Sequence, residues 1–178
     1  MSDEELLRAI RADAGIAEML VRFDFDLERA AGGPAEVIAL PDGGALEMIA
    51  GDASGGAFLL AGPPAASRPV VYAGSEGEGG LIAPDLRTAL ALVVGLSSLH
   101  DATSMPLGDG GALREWLAFA DSEIREDWPE LDEDRARLRA ALDLPPAEGL
   151  LPVLHESAAD ERYRPVSDAG DVYESMLG

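Results

Sequence analysis

Apolar residues recur at helical spacing from the start of the chain. Leu6, Leu7 and Ile10 form a short stripe behind Ser2-Asp-Glu-Glu5, whose serine and last glutamate have the spacing of a capping box. Ile16, Met19, Leu20, Phe23 and Leu27 continue the period, which predicts a second amphipathic helix over residues 14–29. Gly32-Gly33-Pro34 stops it. The pattern then changes to short apolar runs at 36–40 (EVIAL), 45–50 (ALEMIA), 56–61 (GAFLLA) and 69–74 (PVVYAG). Turn residues at 41–44, 51–55 and 62–67 separate them. This spacing predicts an antiparallel meander with one buried face, and residues 80–83 add a last short strand.

Pro84-Asp85 opens a helix, with proline in its first turn and an acid near its positive end. Leu86, Leu90, Val93, Val94 and Leu96 are too apolar to be exposed, so this helix is predicted to pack across the sheet. Beyond Asp101 the chain reads as helical. Leu113, Trp116, Leu117, Ala120 and Ile124 make one stripe, ended by Pro129; Leu131, Leu138 and Leu142 make another, ended by Pro145-Pro146. From Ser157 onward a short helix and a looser end are predicted. The expected fold class is α+β, with a central, mostly antiparallel sheet and helices packed on it. The 178 residues suit one domain. Its parts are N-terminal helices over 1–34, a sheet over 35–83, a packing helix over 84–104, and an acidic helical extension over 105–178.

Charge is unevenly distributed. Thirty-four acids against 13 bases, all arginine, give a net charge of −21. Residues 30–83 hold only six acids and one arginine. From Asp121 to Asp134, by contrast, eight acids face one base, Arg125. Such a surface repels nucleic acid and anionic membranes and attracts a basic protein, although acidity also serves solubility alone. The chain has no cysteine, which points to a reducing compartment. Its first residues are acidic where a signal peptide is basic, and no apolar stretch reaches the roughly 18 residues of a membrane span. A soluble, cytoplasmic protein is expected.

The stretch GDASGGAF at 51–58 is one residue away from GDSGG, the nucleophile segment of chymotrypsin-like proteases. Both histidines, His100 and His155, follow Ser54, whereas that protease order places the histidine first. No G-x-S-x-G elbow is present, and Ser54 reads as a turn residue. The glycines of GSEGEGG (74–80) do not form a P-loop, since the chain has no lysine, and Glu76 and Glu78 would repel phosphate. The histidines lie too far apart for a local zinc motif. Carboxylates are too numerous for any pair to be specific, unless a pocket holds two with separated pKa values. No catalytic residue, metal or cofactor is predicted.

Two stretches together carry a resemblance. DASGGAFLLA (52–61), and VVYAGSEGEGGLIAPDL (70–86) followed by an apolar helix, resemble the SUKH superfamily, the SMI1/KNR4-like proteins. The match covers residues 35–101. The segments DEDRARLRAAL (132–142) and YESMLG (173–178) are similar to the tails of actinobacterial members. The N-terminus lacks the Leu-Pro-x-x-Tyr segment of many members, which implies either a different arrangement of residues 1–34 or a divergent branch. The resemblance implies an α+β fold, no catalytic activity, and structural turns at Asp52, Ser54, Gly55, Gly56, Ser75 and Gly77. Bacterial members resemble immunity proteins that neutralise toxins of polymorphic toxin systems, often nucleases. Fungal relatives are interaction proteins in cell-wall regulation, so the alternative reading of this chain is a scaffold or regulatory interaction protein without a toxin partner. For this chain the expected partner is a basic toxin domain. Glu76, Glu78, Asp121, Glu123, Glu126, Asp127 and Glu130 are its candidate contacts.

Overall fold

A computed structural model describes residues 1–178. Helix α1 (Asp3–Ala12) starts at the predicted capping box: Ser2 Oγ accepts from the Glu5 amide, and the Glu5 carboxylate accepts from the Ser2 amide at 2.7 Å. Helix α2 (Ala14–Arg22) is capped by Asp13 and stops seven residues short of the predicted end at 29. The cause is Phe23-Asp24-Phe25. On a continuous helix, residues two apart point to different sides, yet both phenylalanines are buried. Asp24 adopts a left-handed φ of 58°, which turns the chain so that both rings enter the core. A 3-10 turn over Leu27–Gly32 follows.

Four strands, β2 (Leu46–Gly51), β3 (Ala57–Ala61), β4 (Val70–Ala73) and β5 (Gly79–Ala83), form an antiparallel meander in chain order. Phe58 lies opposite Tyr72, and a register shift between Met48 and Ala50 marks a bulge in β2. The predicted strand at 36–40 is reduced to β1 (Ile38–Ala39), which pairs only with β6 (Val166–Ser167) in a separate ribbon.

The meander has two buried faces, where the spacing predicted one. Phe58, Leu60, Val70 and Ile82 point into the main core with α3 (Leu86–Gly95). Ala57, Leu59, Ala61, Val71 and Leu81 point the other way and are covered by Ile38, Leu40, Tyr163 and Tyr173. Every residue of β3 is therefore buried, as its unbroken apolar run requires. Helix α3 begins with Asp85 as its cap, accepting from the Thr88 amide at 2.8 Å, so Pro84 precedes the cap instead of occupying the first turn.

Helices α4 (Leu99–Thr103), α5 (Gly111–Asp127), α6 (Leu131–Leu142) and α7 (Leu151–Ala158) complete the chain. Residues 105–178 are not an extension. Leu113, Leu117, Leu131, Leu138, Leu151 and Leu154 share one core with Leu90 and Ile82. The end is anchored too: the Tyr173 hydroxyl donates to Glu36, and the Gly178 amide donates to the Thr103 carbonyl at 2.9 Å. No helix is long and apolar enough to cross a membrane.

Candidate functional site

The two turns singled out by the sequence lie side by side at one end of the meander. Asp52 organises the β2–β3 turn. Its Oδ1 accepts from the Ser54 amide (2.9 Å), the Ser54 hydroxyl (2.7 Å) and the Gly56 amide (2.8 Å), and its Oδ2 accepts from the Tyr72 hydroxyl (2.6 Å). Gly55 takes a positive φ of 98°. Gly56 does not, and is needed for space: a Cβ there would lie 2.4 Å from the Tyr72 hydroxyl and 2.5 Å from Asp52 Oδ2. Across from it, Gly77 (φ 89°) lets the β4–β5 turn close, with Ser75 exposed and its Cβ 3.7 Å from where a Gly55 side chain would start.

Burial pushes the Asp52 carboxyl upward, but the four hydrogen bonds outweigh it and hold the group below the ordinary carboxylate range. Tyr72 moves the other way: burial and the adjacent Asp52 carboxylate push its hydroxyl well above the usual phenol value, so it remains a donor. A carboxylate held in this way anchors a turn and is poorly suited to carry protons. The Ser54 hydroxyl donates to Asp52, and neither histidine is hydrogen-bonded to it. His155 Nε2 sits 2.7 Å from the Ala102 carbonyl oxygen, while His100 lies exposed in α4. Ser54→Ala is expected to lower stability by about 1 kcal/mol, the worth of one hydrogen bond, and to leave intact any activity, including binding of any partner. Thermal melting beside a binding assay checks this; full stability with lost binding would make Ser54 a functional group.

Asp52 and Tyr72 border a pocket of about 310 Å³. Sequence reasoning missed it, because its walls come from six separate parts of the chain, around residues 22–24, 52–58, 72–78, 93–103, 124–135 and 176. Phe58 packs at a tilt against Tyr72 (ring centroids 5.2 Å) on one side, and Phe23 likewise against Trp128 (4.7 Å) on the other. Arg22 lies 4.0 Å above the Trp128 ring and bonds Asp134 at 2.7 Å. Arg135 makes a bidentate pair with Asp121 (2.7 and 2.9 Å). Glu78 reaches the pocket, whereas Glu76 is exposed on the turn. No three His, Cys, Asp or Glu side chains converge as metal ligands.

The acidic run divides under the same geometry. Asp121 is half-buried against Arg135, and Asp134 is buried and accepts from Arg22 and from the Trp128 indole. Asp132 pairs with Arg125, and Glu133 with Arg137. Glu123, Glu126, Asp127 and Glu130 are exposed and lack any side-chain partner in the chain. On the same side of α5, Trp116 (37 % exposed) stacks on Phe119 (55 % exposed), with centroids 5.8 Å apart. Trp116 was expected in the buried stripe; its angular position, about 60° from Leu113 at 100° per residue, rotates it outward with Glu123 and Asp127. No family model, curated protein or solved structure matches the chain.

Proposed function

We propose that this chain is a non-enzymatic protein-binding protein, an immunity protein of the SUKH type that occludes a basic toxin domain. The observation that carries the reading is the outer face of α5. There an exposed, stacked Trp116–Phe119 pair runs into the unpaired carboxylates Glu123, Glu126 and Asp127, with unpaired Glu130 just beyond in the turn to α6. Aromatic side chains are the usual anchors of protein interfaces, and charge complementarity steers a basic partner toward them. The net charge of −21 acts in the same direction. A nuclease toxin, whose cationic groove binds phosphates, fits this chemistry.

The test begins with a tagged pull-down at low and high salt. One stoichiometric basic partner, toxic alone and harmless beside this chain, supports the reading. Capture of housekeeping complexes only would favour a scaffold or regulatory interaction protein instead. With a partner in hand, changing the four exposed acids to lysine is expected to slow association by about tenfold or more at low salt, the difference shrinking as salt rises. Trp116→Ala acts on dissociation and costs about 2 kcal/mol of affinity. Unchanged low-salt kinetics in the lysine variant would exclude this face.

A further inference from the structure

We propose that the pocket beside Asp52 receives the guanidinium group of an arginine carried by the protein partner. This rests on the reading of the chain as a protein-binding protein and names what one of its cavities accepts. The walls impose two requirements at once. Phe58 and Tyr72 offer flat apolar surface, which suits a stem of methylenes ending in a planar cation; Trp128 beside them is already covered by Arg22 and Phe23. The carboxylates of Asp24, Asp52 and Glu78 in its lining favour that cation.

Both arginines at the pocket are already neutralised from within: Arg22 by Asp134, and Arg135 by Asp121, with the Arg135 Nε also donating to the Val94 carbonyl at 2.9 Å. The three pocket carboxylates have no such partner. All four donors to Asp52 are neutral groups. Asp24 accepts only a long bond, 3.4 Å, from the Ala53 amide. Glu78 accepts none, and its carboxylate lies against Gly74, where a Cβ would come within 1.9 Å of Oε1. Three uncompensated negative charges over an aromatic floor focus a negative potential into a partly closed space. A volume of about 310 Å³ is at the small end of ligand pockets, enough for one long side chain and too small for a large cofactor. Trp128 in the pocket wall directly follows Asp127, the last residue of α5, so the pocket lies next in sequence to the proposed binding face.

The probe is N-acetyl-arginine amide, with the neutral isostere N-acetyl-citrulline amide as control, read by the NMR shift of the Trp128 indole N–H. Arginine amide is expected to shift this resonance with millimolar affinity, as a ligand of its size allows. Citrulline amide is expected not to. Glu78→Gln, which removes a charge that bonds nothing within the chain, is expected to weaken binding about tenfold or more. Asp24→Asn, a residue that tolerates the left-handed backbone there, is expected to weaken it less. No shift with arginine amide, or equal binding of citrulline amide, overturns the cation pocket.

The pull-down repeated with Glu78→Gln identifies the source of the cation. Reduced capture of the basic partner, together with a positive arginine titration, assigns the pocket to a partner's side chain. Capture at the wild-type level overturns that assignment and leaves a site for a free guanidinium compound. If arginine amide binds and neither chain captures a partner at any salt, the protein-binding reading fails while the cation pocket survives.

Discussion

Arg135→Ala is expected to lower the stability of the fold by about 4 kcal/mol, the cost of breaking one side of a buried ion pair. The side chains of Arg135 and Asp121 are only 10 % and 16 % exposed. One guanidinium ties three helices together: Nη1 and Nη2 hold Asp121 on α5, Nε holds the Val94 carbonyl in the last turn of α3, and the residue itself sits on α6. Truncation leaves the Asp121 carboxylate with Arg125 at 3.9 Å as its remaining cation. It also strips the Val94 carbonyl of its side-chain donor, at the end of a helix where carbonyls need one. Urea denaturation should show the midpoint falling by roughly 2 M for a slope of about 2 kcal/mol per M. Lysine at 135 keeps the charge but cannot make the bidentate fork, so it should fall between the two. The double variant Asp121→Leu, Arg135→Met removes both charges and should recover most of the loss. If the double variant were no more stable than Arg135→Ala, the damage would lie in lost packing and not in a stranded charge. If α5 binds a basic partner as proposed, reversing Asp121 weakens that binding only by weakening the fold, unlike reversal of Glu123 or Glu126.

The difference between Asp121 and Glu123 marks how far the sequence was legible. Helical stripes and turn residues placed α1, the four-stranded meander and α3 within a few residues, because each depends on local spacing and one type of neighbour. Ser2 and Asp85 act at helix starts as their residue types suggest, whereas Gly32-Gly33 ends a 3-10 turn ten residues beyond the end of α2, so the chemistry of element ends was readable only in part. Segments whose conformation depends on distant partners were not. Nothing local in Phe23-Asp24-Phe25 says that both rings must enter the core, and a period-3.6 pattern runs straight through the break. The second buried face needs residues 163–173 to return over it, which strand spacing does not reveal, although the unbroken AFLLA of β3 carried that signal. Acidity in the 121–134 run was visible as composition. Which acids are spent internally depends on Arg22 and Arg135, more than a hundred residues apart in sequence. The two turn motifs were visible, and their role in framing a pocket was not, since Tyr72 was one residue of an apolar run and Trp128 entered no predicted stripe.

Asp52→Ala is expected to cost about 3 kcal/mol, because it leaves several donors without an acceptor at once. Water can take over at Ser54, which is exposed, but the Gly56 amide is buried and the Tyr72 hydroxyl points into the space the carboxylate held. Tyr72→Phe removes one donor and should cost less, about 1 kcal/mol. Asn at 52 keeps the shape but offers a single acceptor oxygen, so it should lie between alanine and the wild type. The pH dependence has a definite sign. Asp52 binds its proton less readily when folded than when unfolded, so its contribution is complete above the ordinary carboxylate pKa of about 3.9 and is lost as pH falls through its depressed folded value. The wild type should therefore lose stability on acidification more steeply than Asp52→Asn in that window. At the alkaline end, Tyr72 keeps its proton in the fold beyond the point where the unfolded chain releases it, so stability should decline as pH rises past about 10. In Tyr72→Phe that decline should be shallower, with the remainder due to Tyr173, whose hydroxyl is raised by burial and by Glu36. Parallel acid limbs in the wild type and Asp52→Asn would mean that the four bonds do not favour the ionised carboxylate. Asp52 would then be a space-filling turn residue and not the anchor that joins the β2–β3 turn to β4.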